Sequence, residues 1–242
     1  MNVEVNFVLG VVIFLRLLYI VADFIVRHEK SSWNKAKRRQ FVVRIVSLTH
    51  AAISGLLTSY GFVDPYLFDC QYGRLVLLFS MGYFLHDCID MLVYGEGRQY
   101  KEYIIHHTLS VIGVISILYS KRLLGLGVIC LLVEVQTTFL HLRTILRIFG
   151  LNRKNSGLIV FRHVPTSYLL FYISLIEYRA HLLLRILLSC ALAFLTYHNC
   201  HLQHRFMKMD GYIASENADD DDEIIDPLDK YSETGKTNAH QN

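Results

Sequence analysis

Residues 5–26 read VNFVLGVVIFLRLLYIVADFIV, an apolar run whose only charged residues are Arg16 and Asp23. A bilayer core about 30 Å thick is crossed by a helix of roughly 20 mostly apolar residues, so this run can span it. No basic segment precedes the run and no A-x-A-like site ends it, which favours a first transmembrane helix over a signal peptide. We interpret Arg16 and Asp23, seven residues apart, as an internal pair or a snorkelling contact.

Similar apolar blocks recur along the whole chain. Hydrophobic residues make up 53% of the 242 residues, and the mean hydropathy is +0.34, which is too apolar for one soluble domain of this size. We predict spans at 5–26, 41–61, 74–94, 104–119, 123–141, 158–178 and 181–199. The fourth is short and the last two nearly touch, so six spans or a re-entrant segment is the alternative. The predicted fold class is therefore an all-α polytopic membrane helix bundle of about seven transmembrane helices.

Basic residues concentrate in alternate segments between the spans, as cytosolic loops do. The basic segments contain Arg27, Lys30, Lys35, Lys37, Arg38, Arg39, Arg98, Lys101, Arg143, Arg147, Arg153, Lys154, Arg205, Lys208, Lys230 and Lys236, whereas the other side contains Lys121, Arg122 and Arg179. Seven spans then place the N-terminus outside and the C-terminus in the cytosol. We divide the chain into a first span with its basic cytosolic loop (1–40), a main transmembrane domain (41–205) and a disordered acidic cytosolic tail (206–242).

The sequence lacks the motifs of several common site types. Its five cysteines form no CxxC pair, which disfavours a disulfide framework or a zinc ribbon. No glycine-rich loop suited to phosphate is present. We expect no metal, no other cofactor and no nucleic-acid partner.

Ionisable residues inside the spans are the candidate site, because each is costly in a bilayer without a partner or a task. The predicted orientation gathers them in the cytosolic half, where paired histidines and carboxylates could bind a metal, move a proton or activate a nucleophile. A buried network that only fixes helix register is the alternative for any single member. The candidates for catalysis are His106, His107, Asp87, Asp90 and Glu134, and those for a lipid or acyl-CoA pocket are His50, His86, His141, Arg143 and His163.

Several strings resemble a known family. They are VSLTH at 46–50, GYFLHD at 82–87 with Asp90, IHH at 105–107, LLVE at 131–134 and FLHLR at 139–143. Over about residues 41–150 the chain resembles the TLC domain of ceramide synthases and translocating-chain-associating proteins, so the domain at 41–205 is interpreted as TLC-type. YFLHDCIDM at 83–91 and LHLR at 140–143 most resemble the calfacilitin-like TLC domain-containing proteins.

The resemblance implies different functions for different subgroups. Ceramide synthases carry paired histidines, matched here by His106 and His107, and a His-Asp-x-x-Asp string whose aspartates are missing from residues 132–136. The calfacilitin-like subgroup implies a plasma-membrane regulator of phospholipid acyl composition and fluidity that restrains incorporation of polyunsaturated chains, with catalysis left open. The alternatives are an acyltransferase that uses acyl-CoA, an endoplasmic reticulum location, and a modulator that contacts another membrane protein through the acidic tail. Membrane phospholipids are the expected partners; protein partners are not specified by the sequence.

Overall fold

The computed structural model describes residues 2–63, 71–94, 98–120, 124–151, 167–168, 170–171 and 182–209. All regular structure within these ranges is α-helical. The helices are α1 (Asn2–Glu29), α2 (Lys35–Val63), α3 (Gln71–Tyr94), α4 (Arg98–Ser120), α5 (Leu124–Cys130), α6 (Val133–Ile148) and α7 (Leu182–Met209).

Within the described ranges, five stretches are long and apolar enough to cross a membrane: Val3–Glu29, Lys35–Gly61, Gln71–Tyr94, Lys101–Tyr119 and Leu124–Ile148. The prediction of an all-α polytopic membrane bundle is confirmed. Helix α7 covers the predicted seventh span and continues to Met209. The predicted sixth span lies almost wholly outside the described residues, as does most of the tail, so the count of seven and the orientation stay predictions.

The predicted fifth span is present as one apolar stretch, Leu124–Ile148, but a short turn divides it into α5 and α6. Leu131 and Leu132 form a tight turn between α5 and α6, with their N–H groups donating to the carbonyls three residues earlier at 3.0 and 3.1 Å. Helix α6 then continues to Ile148, so Arg143 and Arg147 lie on a helix and not in the predicted loop. Gly150, at φ 77°, ends it: its N–H donates to the Arg147 carbonyl in a glycine C-terminal cap.

Glycines bring the helices close together at two crossings. A Cβ added to Gly82 of α3 would lie 2.7 Å from the Val11 Cβ of α1, and one added to Gly55 of α2 would lie 3.1 Å from the Val135 nitrogen of α6. Small residues let transmembrane helices approach closely enough for dense packing. The core between them is apolar and includes Val11, Leu15, Val46, Val76, Leu77 and Val128.

Ion pairs tie α1, α2 and α3 together near one end of the bundle. Asp23 of α1 contacts Arg27 one turn later and Arg38 of α2, at 2.6 and 3.2 Å. Arg16 contacts Asp90 of α3, with Nη1 3.4 Å from Oδ1. The predicted internal pairing of Arg16 with Asp23 is therefore wrong: Arg16 pairs with Asp90 of α3, whereas Asp23 pairs with Arg27 of α1 and Arg38 of α2.

Candidate functional site

Helix α2 carries a buried polar face. Ser47, His50, Ser54 and Thr58 follow each other at intervals of three or four residues, which places them on one side of a helix. All four are buried, and His50, Ser54 and Thr58 have no solvent-accessible surface. This face, which we call the α2 polar face, is turned toward the interior of the bundle.

His50 joins α2 to α3 through a chain of hydroxyl groups. Its Nε2 lies 3.0 Å from the Ser54 Oγ, which lies 3.0 Å from the Ser80 Oγ of α3. The His50 ring also stacks on the Tyr83 ring, with centroids 3.9 Å apart and planes 7° from parallel. The Tyr83 hydroxyl in turn donates to the Ser47 Oγ at 3.0 Å. Both ends of this stack are therefore hydrogen-bonded between the same two helices.

Helix α6 adds a carboxylate on the other side of His50. The Glu134 Oε2 lies 3.9 Å from the His50 Nδ1, at the outer limit of an ion pair. Gly55 and Val135 make their close contact beside it, which holds α6 against α2 at this level. His50 thus lies between a serine pair and a carboxylate. His50 and both serines are inaccessible to lipid and water.

A second cluster forms between α3 and α4. His107 Nδ1 lies 3.1 Å from the Asp87 Oδ2, and the His107 ring stacks on Phe84 with centroids 5.4 Å apart. The His106 ring centroid is 5.2 Å from that of His107 and 5.7 Å from that of His198 on α7. His198 Nδ1 lies 3.9 Å from the Glu102 Oε2. Three helices therefore contribute imidazoles or carboxylates to one polar cluster.

The two clusters meet at Tyr83. Its ring stacks on His50 and also lies edge-on to His107, with centroids 5.9 Å apart. The predicted candidates His50, Glu134, Asp87, His106 and His107 are thus brought into one connected region, built on α2, α3, α4 and α6.

The other predicted residues lie elsewhere or apart. Asp90 contacts Arg16 and Arg39, not a histidine. His86 is buried, and neither ring nitrogen has a hydrogen-bond partner among the described residues. His141 and Arg143 are half-buried further along α6. His163 lies outside the described residues.

Sequence reasoning missed the hydroxyl groups of the site. Ser54, Ser80 and Tyr83 complete the hydrogen-bonded chain around His50. Serine is common in transmembrane helices, so its presence alone carries little information. The helical spacing of Ser54 and Thr58 behind His50 was the available signal.

One histidine–carboxylate contact in the region is suited to proton transfer. No group of three or more His, Cys, Asp or Glu suited to a metal ion occurs among the residues that the structure describes. A histidine beside a carboxylate can accept a proton while the carboxylate fixes the ring and stabilises the imidazolium. His107 and Asp87 are close enough for this arrangement, with Nδ1 3.1 Å from Oδ2, but the ring must reorient before Nδ1 makes a hydrogen bond to the carboxylate.

The TLC domain profile matches residues 40–209 of this chain. The chain belongs to the TLC domain family. The match includes every residue of the polar region, from Ser47 on α2 to His198 on α7. TLC domain membership supports a membrane lipid-related role for this multi-pass membrane protein.

Individual TLC domain proteins are similar over parts of the chain. TLC domain-containing protein 1 of Mus musculus is 36% identical over 111 residues, which is 43% of this chain and 45% of that protein. Its counterpart from Gallus gallus is 31% identical over 145 residues, 53% of this chain and 58% of that protein. TLC domain-containing protein 2 of Danio rerio is 28% identical over 186 residues, 70% of this chain and 76% of that protein. The chain thus spans about half the length of the first of these relatives.

Proposed function

We propose that this TLC domain protein regulates the acyl composition of plasma-membrane phospholipids and limits the incorporation of fluidising polyunsaturated chains. The observation that carries the proposal is the closure of the polar region around His50, which is fully buried and contacts Ser54, Tyr83 and Glu134. A group without accessible surface cannot meet a substrate unless helices separate. This favours a regulator over an enzyme that uses the centre of the bundle.

The lipid-facing surface supports the same proposal. Helix α1 exposes a series of large apolar side chains along its length, among them Leu9, Ile13, Leu17, Ile20 and Phe24. Such a surface is suited to contact with acyl chains, since a helix of this length and hydropathy crosses the hydrocarbon core. A regulator of acyl composition needs contact with acyl chains in the bilayer.

An acyl-CoA-dependent acyltransferase is the second candidate, and the His107–Asp87 contact favours it. In such a reaction the His107 imidazole would take the proton of an acceptor hydroxyl or amine as that group attacks the thioester carbonyl. The carbon–sulfur bond then breaks and the proton passes to the departing CoA sulfur, giving an ester or amide and free CoA. Asp87 would orient the ring and stabilise its charged form.

One experiment tests the proposal in cells and also separates it from the second candidate. Cells that lack the protein are fed a polyunsaturated fatty acid and rescued with wild type, with His106→Ala/His107→Ala, or with Thr108→Ala. Thr108 is the matched control because it is exposed on the same turn of α4. Phospholipid acyl chains are then quantified. We expect polyunsaturated phospholipids to rise on loss and to return to normal with wild type and with Thr108→Ala.

The remaining arms decide between the candidates. Rescue by the double histidine variant supports a regulator whose histidines are structural. Failure of that variant, together with transfer of a labelled acyl chain from acyl-CoA by the purified wild type, supports the acyltransferase. If loss of the protein leaves every phospholipid unchanged, the proposed function is wrong.

A further inference from the structure

Asp90 is shared by two arginines from different helices. Arg16 of α1 approaches its Oδ1 at 3.4 Å, and Arg39 of α2 approaches its Oδ2 at 2.8 Å. The carboxylate side chain is only 5% exposed, whereas Arg16 and Arg39 are 41% and 24% exposed. The Asp90 carboxylate is therefore buried in the bundle, and the two guanidinium groups lie between it and the surface.

This group, which we call the Arg16–Arg39 clamp, carries an excess positive charge. One carboxylate offsets only one of the two guanidinium groups. Each arginine contacts Asp90 through one nitrogen, and neither has another hydrogen-bond acceptor among the described residues. A guanidinium group has five N–H donors, so several on each arginine are available to a further acceptor.

Tyr94 holds the two guanidinium groups next to each other. The Arg39 Cζ lies 4.9 Å from the centroid of the Tyr94 ring, and the Arg16 Cζ lies 6.0 Å from it. Cation–π contacts of this length fix a guanidinium group without using its N–H donors. Tyr94 is itself exposed on the outside of the bundle. The clamp is thus pre-formed and open on its outer side.

The surroundings of the clamp are apolar. Leu17 and Ile20 flank Arg16 on α1, Leu92 and Val93 follow Asp90 on α3, and all four are exposed. Arg16 lies midway along α1, but Arg39 lies in the first two turns of α2 and Asp90 in the last two turns of α3, so the clamp lies toward one end of the spans, the level of lipid head groups. An unbalanced charge beside these apolar side chains is costly, so an anion that lies at the same level would stabilise it.

We propose that the Arg16–Arg39 clamp binds the phosphate of a phospholipid, whose acyl chains lie along the exposed apolar faces of α1 and α3. Paired arginines suit phosphate because their forked N–H donors match its oxygens. A phospholipid also brings two acyl chains to the exposed apolar faces of α1 and α3, whereas a fatty acid brings one. The inference rests on the proposed function and deepens it, because it names the lipid class that the protein holds.

The test is lipid retention by the purified full chain, measured by native mass spectrometry after release from nanodiscs. The nanodiscs contain phosphatidylcholine and phosphatidylserine, and diacylglycerol or oleic acid is added in separate arms. Arg16→Gln and Arg39→Gln remove the excess charge, and we expect each to lower phospholipid retention by about tenfold, as loss of a charge-assisted hydrogen bond does. Diacylglycerol, which has the same acyl chains and no phosphate, is expected to be retained weakly by every variant.

Asp90→Asn distinguishes binding from a structural role. It breaks both ion pairs but raises the charge of the clamp, so we expect phospholipid retention equal to wild type or higher. A clamp that only joined helices would instead be damaged most by this variant. Arg16→Gln/Asp90→Asn has the same charge at the clamp as wild type but only one arginine, so we expect its phospholipid retention to lie between those of Arg16→Gln and Asp90→Asn. Arg27→Gln, at the equivalent pair on Asp23, is the matched control and should keep wild-type retention.

Three results would overturn the proposal: equal loss in Asp90→Asn and Arg16→Gln, equal retention of diacylglycerol and phospholipid, or displacement of phospholipid by oleic acid. The outcome is independent of the cell lipidomics. Binding with the expected pattern in a protein whose loss changes no phospholipid would keep the clamp and reject the regulatory function. A change of phospholipids in cells without the expected binding pattern would reject the clamp and keep the regulatory function.

Discussion

The imidazole of His107 and the carboxylate of Asp87 meet across the interface of α3 and α4, with Nδ1 3.1 Å from Oδ2. The two residues come from opposite sides of a chain reversal, since α3 ends at Tyr94 and α4 begins at Arg98. Both side chains are mostly buried. This contact therefore fixes the rotation of α4 about its axis relative to α3.

The first prediction concerns the energy of that contact. In a double-mutant cycle with His107→Ala and Asp87→Asn, we expect a coupling energy of about 1 kcal/mol, because each single variant already removes the shared interaction. Reversible unfolding in mixed micelles measures it. The parallel cycle of Thr108→Ala with Asp87→Asn should be additive, and additivity in both cycles would contradict the pairing.

The second prediction concerns the stack on the α2 polar face. His50→Ala removes a buried ring that lies 3.9 Å from Tyr83, and the cavity should lower the free energy of unfolding by about 3 kcal/mol. Ser80→Ala removes only one hydrogen bond at the end of the chain and should cost about 1 kcal/mol. Thr49→Ala is the control, since its hydroxyl bonds only to the Ile45 carbonyl of the same helix. Equal effects of His50→Ala and Thr49→Ala would show that the stack contributes nothing.

The third prediction concerns the crossing of α1 and α3. A methyl group at residue 82 would overlap the branched side chain of Val11, so Gly82→Ala should destabilise the protein by about 1–3 kcal/mol. Gly10→Ala, on α1 with nothing within 4 Å, should instead stabilise it by up to about 1 kcal/mol through helix propensity. Adding Val11→Gly to Gly82→Ala should restore part of the loss. Thermal unfolding of the four proteins is the measurement, and a neutral Gly82→Ala would show that the helices separate freely.

The fourth prediction uses the only tryptophan of the chain. Trp33 lies against Phe41 at the start of α2 and Phe149 after α6, with ring centroids 5.5 and 5.6 Å away, and Lys37 Nζ lies 4.8 Å from its ring centroid. Aromatic and basic residues of this kind mark the membrane–water interface. We expect brominated lipids to quench its fluorescence most strongly when the bromine is near the head group.

Two variants check the same assignment of Trp33. Phe149→Ala should shift the tryptophan emission to longer wavelength, because the ring loses one side of its packing. Phe139 is an exposed phenylalanine on the preceding helix α6, and Phe139→Ala should leave the emission unchanged. Strongest quenching by bromine at the acyl-chain ends would place Trp33 in the hydrocarbon core and contradict the prediction.

The positions of the spans could be predicted from the sequence, because the thickness of the bilayer decides how long each span must be. Bilayer thickness sets how many apolar residues a span needs, so α1, α2 and α3 could be predicted from composition along the chain. Because successive spans reverse direction, Asp87 near the end of one and His107 near the start of the next had to lie at the same end of the bundle. Their contact in the structure follows from that geometry.

The rotation of each helix could not be predicted in the same way. Asp87 and Asp90 are less than one turn apart, yet one contacts His107 and the other contacts arginines of α1 and α2. Which partner each carboxylate meets depends on how three helices pack, and that depends on close contacts such as Gly82 with Val11. The turn at Leu131 and Leu132 was missed for a related reason: no glycine or proline marks it, so local sequence gave no sign of a break.

The α2 polar face has a consequence for biogenesis. His50 is the residue of this face that is costly against lipid, and its partners Ser80 and Tyr83 belong to a helix made later. Glu134 is made later still. A newly synthesised α2 therefore carries a histidine whose cross-helix partners do not exist until translation has passed the start of α6. Variants in which α3 or α6 inserts slowly into the membrane should be degraded during synthesis, even where the finished protein is stable.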